Sequence, residues 1–203
     1  MSKRKVVITG LGIISPVGNT VSDAWKSICS GKSGITRITR FDPSSFTSQI
    51  AGEVKDFDIK QYLSVKEARR MDIFIHYGMA AGIQAIKDAG IEDINGLDDT
   101  RIGVNIGSGI GGLPMIENTD AVYHAGGPRK ISPFFIPSTI INMIAGNLSI
   151  MFGYKGPNIA IVSACTTATH SIGNAARMIE YGDADVMVAG GAESSVTPLA
   201  IGG

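Results

Sequence analysis

Asn158-Ile159-Ala160-Ile161-Val162-Ser163-Ala164-Cys165-Thr166-Thr167-Ala168 is the stretch that decides the fold. Asn158 to Ser163 is a short apolar run of the kind that fills a buried strand. The chain is expected to turn sharply at Ala164-Cys165, and Thr166 to Tyr181 carries a helix. That helix is built of small residues almost all round (Ala168, Ser171, Gly173, Ala175, Ala176). A helix of this composition predicts burial between layers instead of a place on the surface. Strand, tight turn and helix in immediate succession form the repeating unit of an α/β fold.

Outward from the elbow the same alternation returns. Val6 to Thr9 reads as a strand that ends in the turn around Gly10 and Gly12. Ser22 reads as the N-cap of a helix through Ile28 that stops at Gly31. Residues 32–61 carry Pro, Gly, Ser and Phe without a sustained period and read as a loop-rich excursion. Lys66 to Ala89 is helical, with Gly90 as the stop. Arg101 to Ile106 is a strand followed by a glycine-dense turn, and Pro137 opens a helix to about Phe152. Ala184 to Ala189 is again a strand, and the last residues run from it into a loop in which nothing caps a helix. The expectation is an α/β sandwich of sheet and helix layers with mostly parallel strands, in a chain that stops before the fold does.

Bulk properties narrow the function classes. Of 203 residues, 44% are hydrophobic and 18% charged, enough for a sizeable core. Lys plus Arg and Asp plus Glu each total 18, a formal net charge of +0. That argues against nucleic-acid binding, which needs a basic surplus. The start, Lys3-Arg4-Lys5 before Val6 to Ile14, imitates a signal peptide, but Thr9, Gly10 and Gly12 interrupt the apolar run. No apolar run reaches the roughly 18 residues of a membrane span. Two cysteines, Cys29 and Cys165, make no disulfide framework and read as reduced thiols, so a cytoplasmic location is expected.

The elbow carries the chemistry. A cysteine at this turn has its sulfur near the unpaired N–H groups of a first helical turn. The helix dipole there favours negative charge on sulfur, and the same N–H groups suit an oxyanion. The pattern alone leaves two readings open: Cys165 is a nucleophile, or it is a small buried hydrophobe. Cys29, beside Trp25 and Ile28, reads as an inert core cysteine. Among the histidines, His76 sits in a helix with Ile73, Phe74 and Tyr77 as a core or surface residue, and His124 lies beside Gly126-Gly127 in a loop. His170 faces away from the thiol. The site has a nucleophile and no evident base. No His/Cys/Asp cluster has metal-ligand spacing, so no metal is expected.

Ser163-Ala164-Cys165-Thr166-Thr167-Ala168 with Gly173 resembles the nucleophile signature of the β-ketoacyl-acyl carrier protein synthases. So do Thr9-Gly10-Leu11-Gly12, Gly107-Ser108-Gly109-Ile110-Gly111-Gly112, Gly127 to Phe135, and Ala184 to Glu193. The likeness covers the whole chain and is nearest to the elongating type II enzymes. It implies a thiolase-like αβαβα fold of two halves, with residues 1–203 as the amino-terminal half, and a homodimer. It implies that Cys165 accepts the acyl group from acyl carrier protein and that its backbone N–H joins the oxyanion hole. Ile110 resembles the residue that gates the acyl pocket, and Phe135 one that closes the pocket from the partner subunit. Lys66, Arg69 and Arg70 resemble residues that dock the acidic carrier protein, and i, i+3, i+4 spacing on a helix would join them in one patch. No cofactor is implied beyond the phosphopantetheine of the carrier protein. The family's catalytic histidines, its lysine and the second oxyanion donor belong to the other half, so the 203-residue chain is expected not to condense by itself.

Two other classes compete. Gly107 to Gly112 fits G-x-G-x-x-G, but the acidic residue required about 20 residues on is absent, where Gly126-Gly127-Pro128-Arg129-Lys130 stands instead. A cysteine hydrolase of the elbow type would need glycines where Ser163 and Thr167 stand. Thiolases and chalcone-type synthases are nearer rivals by resemblance. A non-catalytic half that binds carrier protein or dimerises is the alternative outside enzymes.

Overall fold

The computed structural model describes residues 4–94 and 96–203, so Lys3 of the basic start lies outside the described residues. A parallel sheet in the order β4-β3-β5 forms its centre, with β3 at Ile102–Gly107, β4 at Asn158–Ile159 and β5 at Val186–Gly191. Every residue of β3 is buried. Its sequence alternates large and small, and that alternation assigns the two faces. Ile102, Val104 and Ile106 join Phe74, Met79, Ile144 and Leu148 in the main core, which α3 (Ile73–Asp88) and α6 (Met143–Phe152) supply. Gly78 and Gly82 notch α3, and a Cβ at either would lie 2.5 Å from a side-chain carbon of Ile144 or Leu148 on α6. On the other face Asn105 donates to Ser171 O at 3.2 Å and to Asn174 Oδ1 at 3.1 Å, both on α7 (Thr167–Tyr181). Helices therefore cover both faces of a parallel sheet, as expected for an α/β fold.

Several local expectations are corrected. Val6 to Thr9 is not paired as a strand, and just beyond it Leu11 N donates to Asp88 Oδ2 at 2.9 Å and Ile13 N to Gln84 Oε1 at 3.2 Å. The stretch that follows it thus spends backbone donors on side chains of α3, and a cavity of about 200 Å³ lies between residues 6–11, β5 and α7. The first helix, α1 (Val21–Cys29), is capped by Thr20 and not Ser22, because Thr20 Oγ1 accepts from Asp23 N at 3.1 Å. The loop-rich stretch contains an antiparallel pair, β1 (Ile35–Arg37) with β2 (Ile50–Gly52).

The helix expected over 66–89 is two helices, α2 (Val65–Ala68) and α3. Ser64 and Glu67 form a capping box that starts α2, and Asp72 starts α3 by accepting from Phe74 N. Two caps eight residues apart favour two short helices over one. The helix expected from Pro137 is likewise α5 (Phe135–Thr139) followed by α6, with Pro137 inside the first. Only Asn158 and Ile159 of the apolar run enter the ladder. The final residues form α8 (Pro198–Gly202), which Thr197 caps by accepting from Ala200 N at 3.3 Å. α7 is buried along one stripe only, at Thr167, Ser171 and Ala175, while Ile172 is 52% exposed. The small residues fit that helix closely to β3 and β5 and leave its far side open to solvent.

Candidate active site

The elbow is built as the sequence predicts, with a strain that composition does not reveal. Ala164 has φ 51°, one of two non-glycine residues in the left-handed region among those described. For an alanine this costs ~1–2 kcal/mol. Ser163 uses every polar group it has to hold the turn. Its N–H donates to Thr167 Oγ1 at 3.0 Å, its carbonyl accepts from Thr166 N and Oγ1, and its hydroxyl lies 2.6 Å from His170 Nδ1. A 3₁₀ turn over Ala164–Thr166 then leads into α7. The left-handed step throws Cys165 out of the strand direction, and its side chain is exposed. The buried-hydrophobe reading of Cys165 is thereby overturned.

Cys165 opens on a cavity of about 410 Å³, shared with Ile110, Ser108, Ala168 and Glu193. Ile110 is 54% exposed, in the glycine-dense turn between β3 and α4 (Leu113–Gly126). The glycines of β3 and the turn bring the chain close to the elbow backbone. A Cβ at Gly107 would lie 1.9 Å from Ile161 O, and one at Gly109 would lie 3.4 Å from Ala164 Cα. Among the described residues the hydroxyls of Ser108 and Ser195, both at this cavity, have no hydrogen-bond partner. An exposed thiol at a helix start, beside a mostly apolar cavity, suits attack on a thioester whose acyl chain enters that cavity.

Other predicted residues stand apart from this cavity. Phe135 begins α5 and does not line it within one chain. Lys66, Arg69 and Arg70 are all exposed, and they straddle a helix end in place of lying within one long helix: Lys66 is in α2, Arg69 caps it, and Arg70 follows. Arg70 instead lies over the Phe134 ring, 4.3 Å from its centroid. His76 is half-buried, with Nε2 2.8 Å from Ala68 O. His124 belongs to the last turn of α4 and not to a loop, 3.4 Å from Asp120. Cys29 ends α1 exposed, beside an exposed Trp25 and Ile28, so it is not a core residue. Among the described residues no group of three His, Cys, Asp or Glu could hold a metal ion, and no helix is long and apolar enough to cross a membrane.

Two residues that sequence reasoning passed over complete the frame. The Glu193 carboxylate accepts from Ile110 N at 2.7 Å and Gly111 N at 3.2 Å. Arg40 donates to Ser194 Oγ at 2.9 Å and to Tyr77 Oη at 2.6 Å. Arg40 N and Thr39 in turn donate to Glu53, which is buried. Burial pushes the Glu53 carboxyl up, and the bonds from Thr39 and Arg40 outweigh it, leaving Glu53 below its ordinary value. No local pattern announces the role of either residue, since each acts across more than 80 residues of sequence or through a second side chain.

The family model of the β-ketoacyl synthase N-terminal domain matches residues 3–203. The chain is 62% identical to 3-oxoacyl-[acyl-carrier-protein] synthase 2 of Vibrio cholerae, covering 100% of this chain and 49% of that one. It is 47% identical to the protein of the same name from Staphylococcus aureus, covering 98% of this chain and 48% of that one. The chain thus spans about half the length of the curated relatives it matches. Among solved structures, a β-ketoacyl synthase from Burkholderia phymatum superposes with a TM-score of 0.83 at 26% identity, over 98% of this chain and 48% of the other. A type II PKS acyl-carrier protein in complex with its ketosynthase, bound to the hexaketide, gives a TM-score of 0.81 at 28% identity, over 98% and 54%. The α/β fold is that of the thiolase-like ketosynthases. Sequence and architecture agree from end to end of the described residues, and the chain belongs to the β-ketoacyl synthase family, as its N-terminal domain.

Proposed function

We propose that the full-length protein is a 3-oxoacyl-acyl carrier protein synthase of fatty acid elongation, with residues 1–203 as its amino-terminal domain. One observation carries the reading: Cys165 stands exposed on a strained elbow at the mouth of the cavity that Ile110 lines. Cys165 Sγ attacks the thioester carbonyl of an acyl group carried on phosphopantetheine. The S–C bond to Cys165 forms, the bond to the carrier's sulfur breaks, and the carrier leaves as the thiol with the proton from Cys165. A malonyl group on a second carrier then loses CO₂, its carbanion attacks the Cys165 thioester, and Cys165 departs as thiolate. This sequence calls for no metal or diffusible cofactor, and its proposed location is the cytoplasm.

Lys66, Arg69 and Arg70 are the docking cations of this reading. Their exposure supports it, as does the seating of Arg70 on Phe134, which fixes one guanidinium close to the segment that begins at Phe135. Phe135 reaches the pocket of a partner subunit in a homodimer. Ile136 (60% exposed) and its neighbours Ile131, Phe134 and Ile140 leave an apolar surface around it that a second copy would cover.

The test is the intact mass of the 203-residue chain after incubation with a medium-chain acyl carrier protein thioester, beside Cys165→Ala. One acyl mass gained by the wild type and none by the variant supports the assignment. A chain that is folded by circular dichroism yet unacylated would refute an autonomous nucleophile and favour a non-catalytic, carrier-binding role. With malonyl-acyl carrier protein added, the chain alone is expected to release no 3-ketoacyl product.

A further inference from the structure

We propose that Glu193 is a positioning residue that sets the acyl-chain selectivity of the Cys165 site by holding the Ser108–Gly111 turn and, with it, Ile110. The inference rests on the reading of Ile110 as a wall of the acyl pocket. Its carboxylate receives two consecutive backbone N–H groups, Ile110 at 2.7 Å and Gly111 at 3.2 Å. Such paired, charge-assisted bonds to a turn are stronger than neutral ones and fix orientation as well as distance. Gly109 leaves room for the carboxylate, since a Cβ there would lie 2.9 Å from Glu193 Oε2. Asp72 Oδ2 accepts from Met115 N at 2.8 Å in the first turn of helix α4, and Glu193 holds the turn that leads into that helix.

Glu193 is itself held from two sides. Ala192 N donates to Gly107 O at 3.1 Å, which continues the β3–β5 ladder, and Ser194 Oγ accepts from Arg40 at 2.9 Å. The carboxylate therefore carries the position of two fixed elements to the glycine-rich turn, beside the bond from Gly112 N to Thr139 O at 3.1 Å. Ile110 and Glu193 line the same cavity as Cys165, so a displaced turn changes the space beside the thiol without touching the thiol itself.

The experiment measures acylation of Cys165 by short-chain and long-chain acyl carrier protein thioesters, with intact mass as readout. The proteins are wild type, Glu193→Ala, Ile110→Ala and the double variant, with hydrogen exchange of residues 107–112 followed in parallel. Glu193→Ala is expected to change the long-to-short rate ratio about fivefold or more. It should also lose protection at the Ile110 and Gly111 amides. In the Ile110→Ala background the same change should move the ratio less than twofold, because the two residues act through one element. Should Glu193→Ala not fold, Glu193→Gln is read the same way: it keeps the volume but offers only one oxygen for the two N–H groups.

The inference falls if Glu193→Ala slows both chain lengths alike, or if its effect on the ratio adds fully to that of Ile110→Ala. A ratio moved by Ile110→Ala and not by Glu193→Ala sinks the role of Glu193 and leaves the pocket standing. A ratio that Ile110→Ala leaves unmoved sinks the pocket reading and this inference with it.

Discussion

Gly107→Ala places one methyl group between β3 and the approach to the elbow. Its Cβ would lie 1.9 Å from the Ile161 carbonyl oxygen and 2.9 Å from Thr167 Cγ2. Relief to 3.0 Å, below which such contacts essentially never occur, requires a shift of about 1.1 Å. Thr167 can adjust its side chain only by giving up the bond it accepts from Ser163 N. Ile161 is backbone and must move as part of the chain that leads into Ser163. Overpacking of this kind costs ~1–3 kcal/mol, and a displacement of ~1 Å at a reacting group costs ~10²-fold in rate. The expected outcome is a lower urea midpoint by that amount together with a loss of acylation far beyond it. Acylation is followed by intact mass, under conditions where circular dichroism shows the variant folded. Wild-type acylation with wild-type stability would refute the argument that the close approach at Gly107 sets the position of Cys165.

Three further expectations concern the elbow, a buried cap and an ion cluster. Ala164→Gly relieves ~1–2 kcal/mol of left-handed strain against ~0.5–1 kcal/mol of added chain entropy, so the net is a gain in stability of ~0–1.5 kcal/mol and acylation persists, whereas Ala164→Val abolishes acylation. Asp72 is buried and accepts from Phe74 N and Met115 N, so Asp72→Ala loses a cap worth ~1 kcal/mol and strands a donor at ~1–3 kcal/mol, read in urea unfolding. Burial pushes the Asp72 carboxyl up, so its contribution to stability is fullest below the ordinary carboxylate value and declines as pH rises through its raised one; Asp72→Asn removes that slope. Arg101, and then Arg4, hold the exposed Asp185 carboxyl down at about 2, so its contribution is present above 3.8 and is lost as pH falls from there toward 2. Asp185→Asn flattens that part of the stability curve, and salt does the same to the wild type.

The elbow, the central strand and the glycine-dense turn were legible because each is a local pattern. Arg101 to Ile106 alternates large and small residues, and Cys165 follows an apolar run at the start of a helix. The split of the helix expected over 66–89 was not legible, because a 3.6-residue period runs through Arg69 to Asp72 without a break. Only the acceptor role of Asp72, completed by Met115 in α4, shows the restart. Val6 to Thr9 has the composition of a strand, but pairing depends on where a neighbour lies, and the donors that follow it, Leu11 N and Ile13 N, found Asp88 and Gln84. Lys66, Arg69 and Arg70 straddle the end of α2 for the same reason that the expected helix divides. Glu193 belongs to a motif that the sequence displays, yet its bond to Ile110 spans 83 residues and has no local sign.

The parallel ladder of β3 also governs the order in which the protein can be made. Ile102 is paired with Val186, 84 residues later, and Val104 with Asn158, 54 residues later. Chains lengthen at ~5–20 residues per second, so the most apolar strand waits ~4–17 s on the ribosome for the partner that completes it. Contacts of such sequence separation form late, after the loop entropy between them has been overcome. Until β5 emerges, Ile102, Val104 and Ile106 can be shielded only by α3, which is already synthesised, and then by α6. A helix made before the strand it covers serves in that interval as the strand's own chaperone.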